Sequence, residues 1–178
     1  MDDSLRSLIA QHGVGETRSG GILIVDDEKP NLTVLRSFLE TGYKVCVAQS
    51  GPEALEIAKK TDLDIVIADQ RMPQMTGVEL LEELRQLKPD IAGIVLTGFT
   101  DPPALISAIN RARVFRFLKK PWQPEELLAA VREAASEYDG LVERAEENAF
   151  LRSELDKLHH RVTALESEVA RLRPASAT

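Results

Sequence analysis

The stretch Ile65-Val66-Ile67-Ala68-Asp69-Gln70-Arg71-Met72-Pro73 decides how this chain folds. Four apolar or small residues run without a charge, and the carboxylate of Asp69 arrives where the run stops. A short continuous apolar run bounded by turn residues reads as a strand buried on both faces, as in a parallel sheet. In open α/β sheets, ligands bind outside the carboxyl ends of the strands. Asp69 therefore stands where chemistry is expected, at a place where packing has no need of a charge.

Working outward, the same pattern recurs on both sides. Ile22-Leu23-Ile24-Val25 ends on Asp26-Asp27-Glu28, and a second strand follows at Lys44 to Ala48. Gly93 to Leu96 ends on Thr97-Gly98, and Val114 to Leu118 ends on Lys119-Lys120-Pro121. Helices are predicted from Pro30 to Glu40, stopped by Gly42, and from Gly51-Pro52 to about Lys60. Thr76 can cap a helix over Gly77 to Leu84, closed by Pro89, and Pro102-Pro103 opens another to about Arg111. A last helix begins at Pro124-Glu125-Glu126. Strands alternating with helices predict a doubly wound parallel sheet.

Composition narrows the class. A chain of 178 residues allows one compact domain plus something extra. With 43% hydrophobic and 29% charged residues it is an ordinary folded protein rather than a disordered one. A net charge of −7 argues against a nucleic-acid-binding surface as its main business, although a local patch is left open. The single cysteine, Cys46, cannot form an internal disulfide and fits a reducing compartment. No apolar run approaches the roughly 18 residues that span a bilayer, and Met1 to Gln11 lacks the features of a signal peptide. The expected location is the cytoplasm, without a membrane. Residues 1–20, polar and rich in Gly and Ser, read as a flexible leader.

From about Glu137 the composition changes. Leu141, Asn148, Leu155, Val162 and Val169 fall on one heptad position, and Leu151, Leu158, Leu165 and Leu172 fall three residues further on. That is the a/d seam of a coiled coil, weaker at its start, where Arg144 takes a d position and Gly140 stands in the path. In a parallel, in-register dimer the g position pairs with the partner's e position five residues on. This gives Glu147 with Arg152, Arg161 with Glu166, and Glu168 with Arg173, all of opposite sign. Asn148 at an a position favours two strands in register. The alternative is a lone amphipathic helix folded back on the domain. The expected division is leader 1–20, globular domain 21–138, parallel dimeric coiled coil 139–173 and tail 174–178.

The strand ends share a chemistry. Adjacent carboxylates repel unless a cation or solvent neutralises them, and the plain alternative for Asp26 to Glu28 is a solvated acidic turn that N-caps the next helix. Paired carboxylates with a third nearby suit Mg²⁺, which keeps several waters and binds through one or two carboxylates plus phosphate oxygens. A carboxylate is also a nucleophile toward phosphorus, forming an aspartyl phosphate. Such a transfer needs positioning and charge neutralisation from a metal, a lysine and a hydroxyl. Asp26, Asp27, Asp69, Thr97 and Lys120 offer all of them.

These residues resemble a known family. Val-Asp-Asp-Glu at 25–28, Ile-Ala-Asp-Gln-Arg-Met-Pro-Gln-Met-Thr-Gly at 67–77, Val-Leu-Thr-Gly at 95–98 and Phe-Leu-Lys-Lys-Pro-Trp at 117–122 look like the receiver domain of two-component response regulators. The resemblance covers roughly Gly21 to Tyr138 and implies a flavodoxin-like fold, a five-stranded parallel sheet in the order 2-1-3-4-5. By position it implies Asp69 as phosphoacceptor. Mg²⁺ would be held directly by Asp27 and Asp69, through water by Asp26, and by the backbone carbonyl of Arg71. Thr97 would hydrogen-bond the phosphoryl group and Lys120, which directly precedes the proline, would pair with it in preference to Lys119. Phe117 takes the place of the aromatic switch residue, with strand packing as its plain alternative. The Lys120-Pro121 bond is implied to be cis. His159 and His160 lie on the coil, outside the context of a phospho-accepting histidine, and Trp122 reads as packing near the last helix.

The resemblance implies a phosphorylation switch rather than an enzyme. In this expectation a sensor histidine kinase would phosphorylate Asp69, and the change would be relayed through a homodimeric coiled coil. After the coil the chain ends at Ala175-Ser176-Ala177-Thr178 without a helix-turn-helix, cyclase or phosphodiesterase motif. The output is either a further domain or a partner of the coil, and the sequence leaves this open. Two alternatives come from other classes. An aspartate-nucleophile phosphatase would need a second Asp two residues after the nucleophile, where Arg71 stands. A dimerisation module with an inert receiver would be expected to have lost part of the acidic set. Arg71 and Phe99 flank the site and are candidates to tune hydrolysis, in a direction the sequence does not give.

Overall fold

The computed structural model describes residues 20–98 and 113–172. Five parallel strands form one sheet: β1 (Gly21–Val25), β2 (Lys44–Ala48), β3 (Leu63–Asp69), β4 (Ala92–Thr97) and β5 (Arg116–Lys119), in the order β2-β1-β3-β4-β5. The helices are α1 (Lys29–Leu39), α2 (Gly51–Ala58), α3 (Gly77–Leu87) and α4 (Pro124–Leu172). The expected helix from Pro102 to Arg111 lies outside the described residues. This is the doubly wound parallel sheet that the apolar runs implied, in the flavodoxin-like strand order that the resemblance implied.

Every residue of β1, β3 and β4 is buried, as expected of central strands covered on both faces. Alternation along the strands divides the core in two. Ile22, Ile24, Ile65, Ile67, Ile94 and Leu96 pack under α1 and the first turns of α4. Leu23, Val25, Val66, Ala68 and Val95 pack under α2 and α3. Each fully buried Leu or Ile side chain contributes about 1.5–3 kcal/mol of apolar transfer, so the sheet is held from both sides. α3 shows the local logic of its start. The Thr76 hydroxyl accepts from the Glu79 N–H while the Glu79 carboxylate accepts from the Thr76 N–H, a reciprocal capping box.

One boundary and one turn differ from expectation by more than a turn's fraying or by kind. β5 runs Arg116–Lys119 rather than from Val114, because Arg113 has a positive φ of 43° and the chain has not yet straightened at Val114. The Phe115 N–H already bonds Gly93 O at 2.8 Å, just before the strand. The acidic turn is neither solvated throughout nor a side-chain cap. Asp26 is 1% exposed, and Glu28, the N-cap of α1, makes no side-chain capping bond.

The chain divides into two compact units, residues 1–138 and 139–178. Among the described residues of the second unit the structure is helix, the continuation of α4 to Leu172. Of its a and d positions, Leu151, Leu155, Leu158, Val162, Leu165 and Val169 are exposed, with Leu155 at 59%, Leu158 at 57% and Val162 at 51%, while Leu141 at the start is half-buried.

Candidate functional site

Four strands deliver one polar residue each to the carboxyl edge of the sheet. Asp26 follows β1, Asp69 ends β3, Thr97 ends β4 and Lys120 follows β5. Because β1, β3, β4 and β5 are successive neighbours, these residues are brought together at one edge. Backbone bonds fix the edge further: Gln70 N–H to Leu96 O and Lys120 N–H to Thr97 O, both 2.8 Å. The Lys120-Pro121 peptide is cis.

Lys120 organises the centre. Its Nζ lies 2.5 Å from Asp69 Oδ1 and 3.0 Å from Asp26 Oδ2. Burial pulls the ammonium down, but the hydrogen bonds and charges of Asp69 and Asp26 outweigh it, and its pKa stands above the ordinary lysine value. Asp69 Oδ2 accepts the Arg71 N–H at 2.7 Å. Asp26 Oδ1 accepts from the Glu28 N–H at 2.9 Å, and Asn31 Nδ2 lies 3.0 Å from both Asp26 oxygens. Asp26, Asp69 and Thr97 are all buried, whereas Asp27 and Arg71 are exposed at the rim. Lys119 is exposed, so the ammonium in the site is that of Lys120. Phe117 is half-buried and packs against the core under α2 and α3, opposite Val95 of β4. Phe99 lies outside the described residues.

Among the described residues, no three His, Cys, Asp or Glu side chains stand together as a metal cage. Mg²⁺ does not require one, since water and phosphate oxygens supply much of its octahedron. The donor set fits it: Asp26 and Asp69 already share a cation, Lys120, and Asp27 stands beside Asp26.

Two residues of the site were given no role of their own at the site in the sequence reading. Asn31 orients Asp26, and its signal was an Asn, a poor helix former, in the first turn after an acidic pair. Gly77 lets α3 start against the end of β3, since a β-carbon there would lie 2.5 Å from the Asp69 carbonyl oxygen. Its N–H also bonds Gln70 O at 3.3 Å.

Residues 22–132 match the response regulator receiver domain, and the chain belongs to that family. It is 38% identical over 113 residues to the hydrogenase transcriptional regulatory protein HoxA of Cupriavidus necator, covering 64% of this chain and 23% of that one. It is 30% identical over 160 residues to the transcriptional regulatory protein ZraR of Escherichia coli K12, covering 88% of this chain and 36% of the other. The crystal structure of the signal receiver domain of an HD domain-containing protein from Pseudomonas fluorescens Pf-5 superposes with a TM-score of 0.66 at 34% identity. That match covers 69% of this chain and 99% of that one. The chain thus spans about a quarter to a third of these curated relatives.

Proposed function

We propose that the protein is a phosphorylation switch in which Asp69 accepts a phosphoryl group from a sensor histidine kinase. The observation that carries this reading is the Lys120 ammonium held between Asp69 and Asp26 at the edge of the sheet. A carboxylate oxygen of Asp69 attacks phosphorus as the bond to the kinase imidazole nitrogen breaks, and the electron pair leaves on that nitrogen. Lys120 then shifts its charge to the new phosphoryl oxygens, and the Thr97 hydroxyl hydrogen-bonds one of them. Asp26, Asp27, Asp69 and the Arg71 carbonyl would hold Mg²⁺, which neutralises phosphoryl charge when bound. The chain acts as phosphoacceptor and not as an enzyme on a separate substrate. The phosphatase alternative lacks its second carboxylate, because Arg71 is exposed where that group should stand.

A groove beside Lys120, lined by Asn31, Val34, Pro121 and Trp122, is open to an incoming donor. Val34 is 46% exposed there, an apolar contact for a kinase helix. On the far side, Thr97 draws toward the phosphoryl group and Phe117 follows it inward.

The signal leaves along α4 as a parallel, homodimeric coiled coil. The exposed a/d stripe needs a cover. The complementary pairs Glu147–Arg152, Arg161–Glu166 and Glu168–Arg173 commit it to a second copy of the same helix. Beyond the dimer the relay reaches an output domain or partner, as the names of the transcriptional regulators above suggest. Among the described residues no helix is long and apolar enough to cross a membrane, and the proposed location is the cytoplasm. The test is beryllofluoride with Mg²⁺, read by sedimentation. The wild type is expected to bind it and change its association, and Asp69→Asn to do neither. An equal response from Asp69→Asn would overturn the phosphoacceptor assignment.

A further inference from the structure

At the end of β3 opposite Asp69 the ladder is irregular. Gly21 pairs with Leu63 but Ile22 pairs with Ile65, so Asp64 is the extra residue of a bulge between β1 and β3. Leu63 and Ile65 accordingly pack into opposite cores, and the Asp64 side chain between them is 4% exposed. Bulges re-aim side chains, and two neighbours show where this one is aimed. Gly20 is the first. A β-carbon there would strike the Asp64 carboxylate, which would have to swing away from its present place. Tyr138 is the second, and its hydroxyl hydrogen-bonds Asp64. Burial and the charges of Asp64 and Asp62 hold the phenol above its ordinary pKa, so it stays a donor through the neutral range. Tyr138 is half-buried and is the last residue of the first unit, while α4 continues beyond it. A buried carboxylate needs a partner, and nothing in the sheet itself calls for one here.

We infer that Asp64 and Tyr138 form a clamp that ties the exit turn of α4 to β3, the strand whose other end carries Asp69, and so couples the coil to the site. The coupling rests on the relay reading above; the clamp does not. Tyr138→Phe removes only the hydroxyl, and Asp64→Asn keeps an acceptor. Hydrogen exchange in the full chain reads the clamp directly. Tyr138→Phe is expected to speed exchange at the amides of residues 136–141 by about tenfold, with residues 126–131 protected as in the wild type. Asp64→Asn is expected to stay near the wild type. Unchanged exchange in Tyr138→Phe overturns the clamp.

The second readout is the change in dimer Kd that beryllofluoride with Mg²⁺ produces. Tyr138→Phe is expected to bind beryllofluoride as tightly as the wild type yet to keep at most about a third of that change, with Asp64→Asn keeping it all. An undiminished response in Tyr138→Phe overturns the coupling, because a purely structural bond would alter exchange alone. A wild type without any response sinks the relay reading instead, and exchange alone then judges the clamp.

Discussion

Lys120 Nζ sits 2.5 Å from Asp69 Oδ1, so the carboxylate proposed as phosphoacceptor and the lysine proposed to neutralise its phosphoryl group are already in contact. The same ammonium holds Asp26 at 3.0 Å. A phosphoryl group placed on Asp69 therefore meets a cation whose position is set from two sides. Lys120→Met is expected to destabilise the fold by about 2 kcal/mol at neutral pH, the scale of hydrogen bonds to charged groups. The folded-state pKa of Lys120 is raised, so its contribution is complete below the unfolded lysine pKa of about 10.4 and is lost as pH rises through the folded value. Urea unfolding should show a constant gap between variant and wild type from about pH 7 to 9 that narrows above about pH 10. A gap that persists unchanged into strong alkali would mean that the charge is not its cause.

Asn31 matters because Asp26 is buried and Asn31 donates to its carboxyl oxygens. Removing an orienting partner from a metal-binding carboxylate commonly costs about 10–100-fold in affinity. Asn31→Leu is expected to weaken Mg²⁺ binding by about tenfold. Trp122 reports it, being the one tryptophan of the chain and lining the same groove as Asp26 and Lys120. Wild-type Mg²⁺ affinity in Asn31→Leu would remove Asn31 from the site.

Gly77 is a steric requirement. The atom its β-carbon would strike is the Asp69 carbonyl oxygen, at 2.5 Å, and backbone gives way less readily than a side chain. Gly77→Ala should cost about 1–3 kcal/mol in urea unfolding, as overpacking does, and should slow phosphorylation by displacing the end of β3. Unchanged stability would mean that α3 can shift without moving Asp69.

How much of this was legible in the sequence depended on the kind of contact. Strands β1, β3 and β4 announced themselves because burial on both faces demands unbroken apolar runs, and a charge at the end of such a run is conspicuous. That placed Asp26, Asp69 and Thr97 at one edge before any coordinates. Asn31 and Gly77 were overlooked because their meaning lies in what they meet, a carboxylate across a turn and a carbonyl across a loop. The Asp64–Tyr138 pair was invisible for the same reason: it depends on a bulge and on residues far apart in the chain. The choice of Lys120 over Lys119 rested on the neighbouring proline; in the ladder Lys119 stands opposite Thr97 and Lys120 just beyond, where its ammonium meets Asp69.

The capping box of α3 gives a prediction at acid pH. The Glu79 carboxyl is held below its usual range, first by the Thr76 backbone N–H and then by its hydroxyl. A depressed folded pKa contributes stability above the unfolded value, about 4.3, and loses it as pH falls through the folded one. Thr76→Ala is expected to cost about 1 kcal/mol at neutral pH. Thermal unfolding should show that difference shrinking below about pH 4. An equal difference at both pH values would assign the loss to the Glu79-to-hydroxyl side of the box alone.

The coil offers the clearest separation of outcomes. Leu158 stands at a d position and is 57% exposed in the single chain, so a charge there costs a monomer little but would be buried in a dimer. Leu158→Glu is expected to raise the dimer Kd at least about a hundredfold, the effect of roughly 3 kcal/mol at a buried seam, with the circular dichroism of the first unit intact. Asn148 works in the opposite sense. Its Nδ2 bonds Arg144 O at 2.8 Å within the helix, and at an a position it trades stability for register. Asn148→Val should therefore raise the melting temperature of the assembly while admitting species larger than two in sedimentation equilibrium. If Leu158→Glu associates as the wild type does, a second copy does not cover this face, and the stripe belongs to another partner.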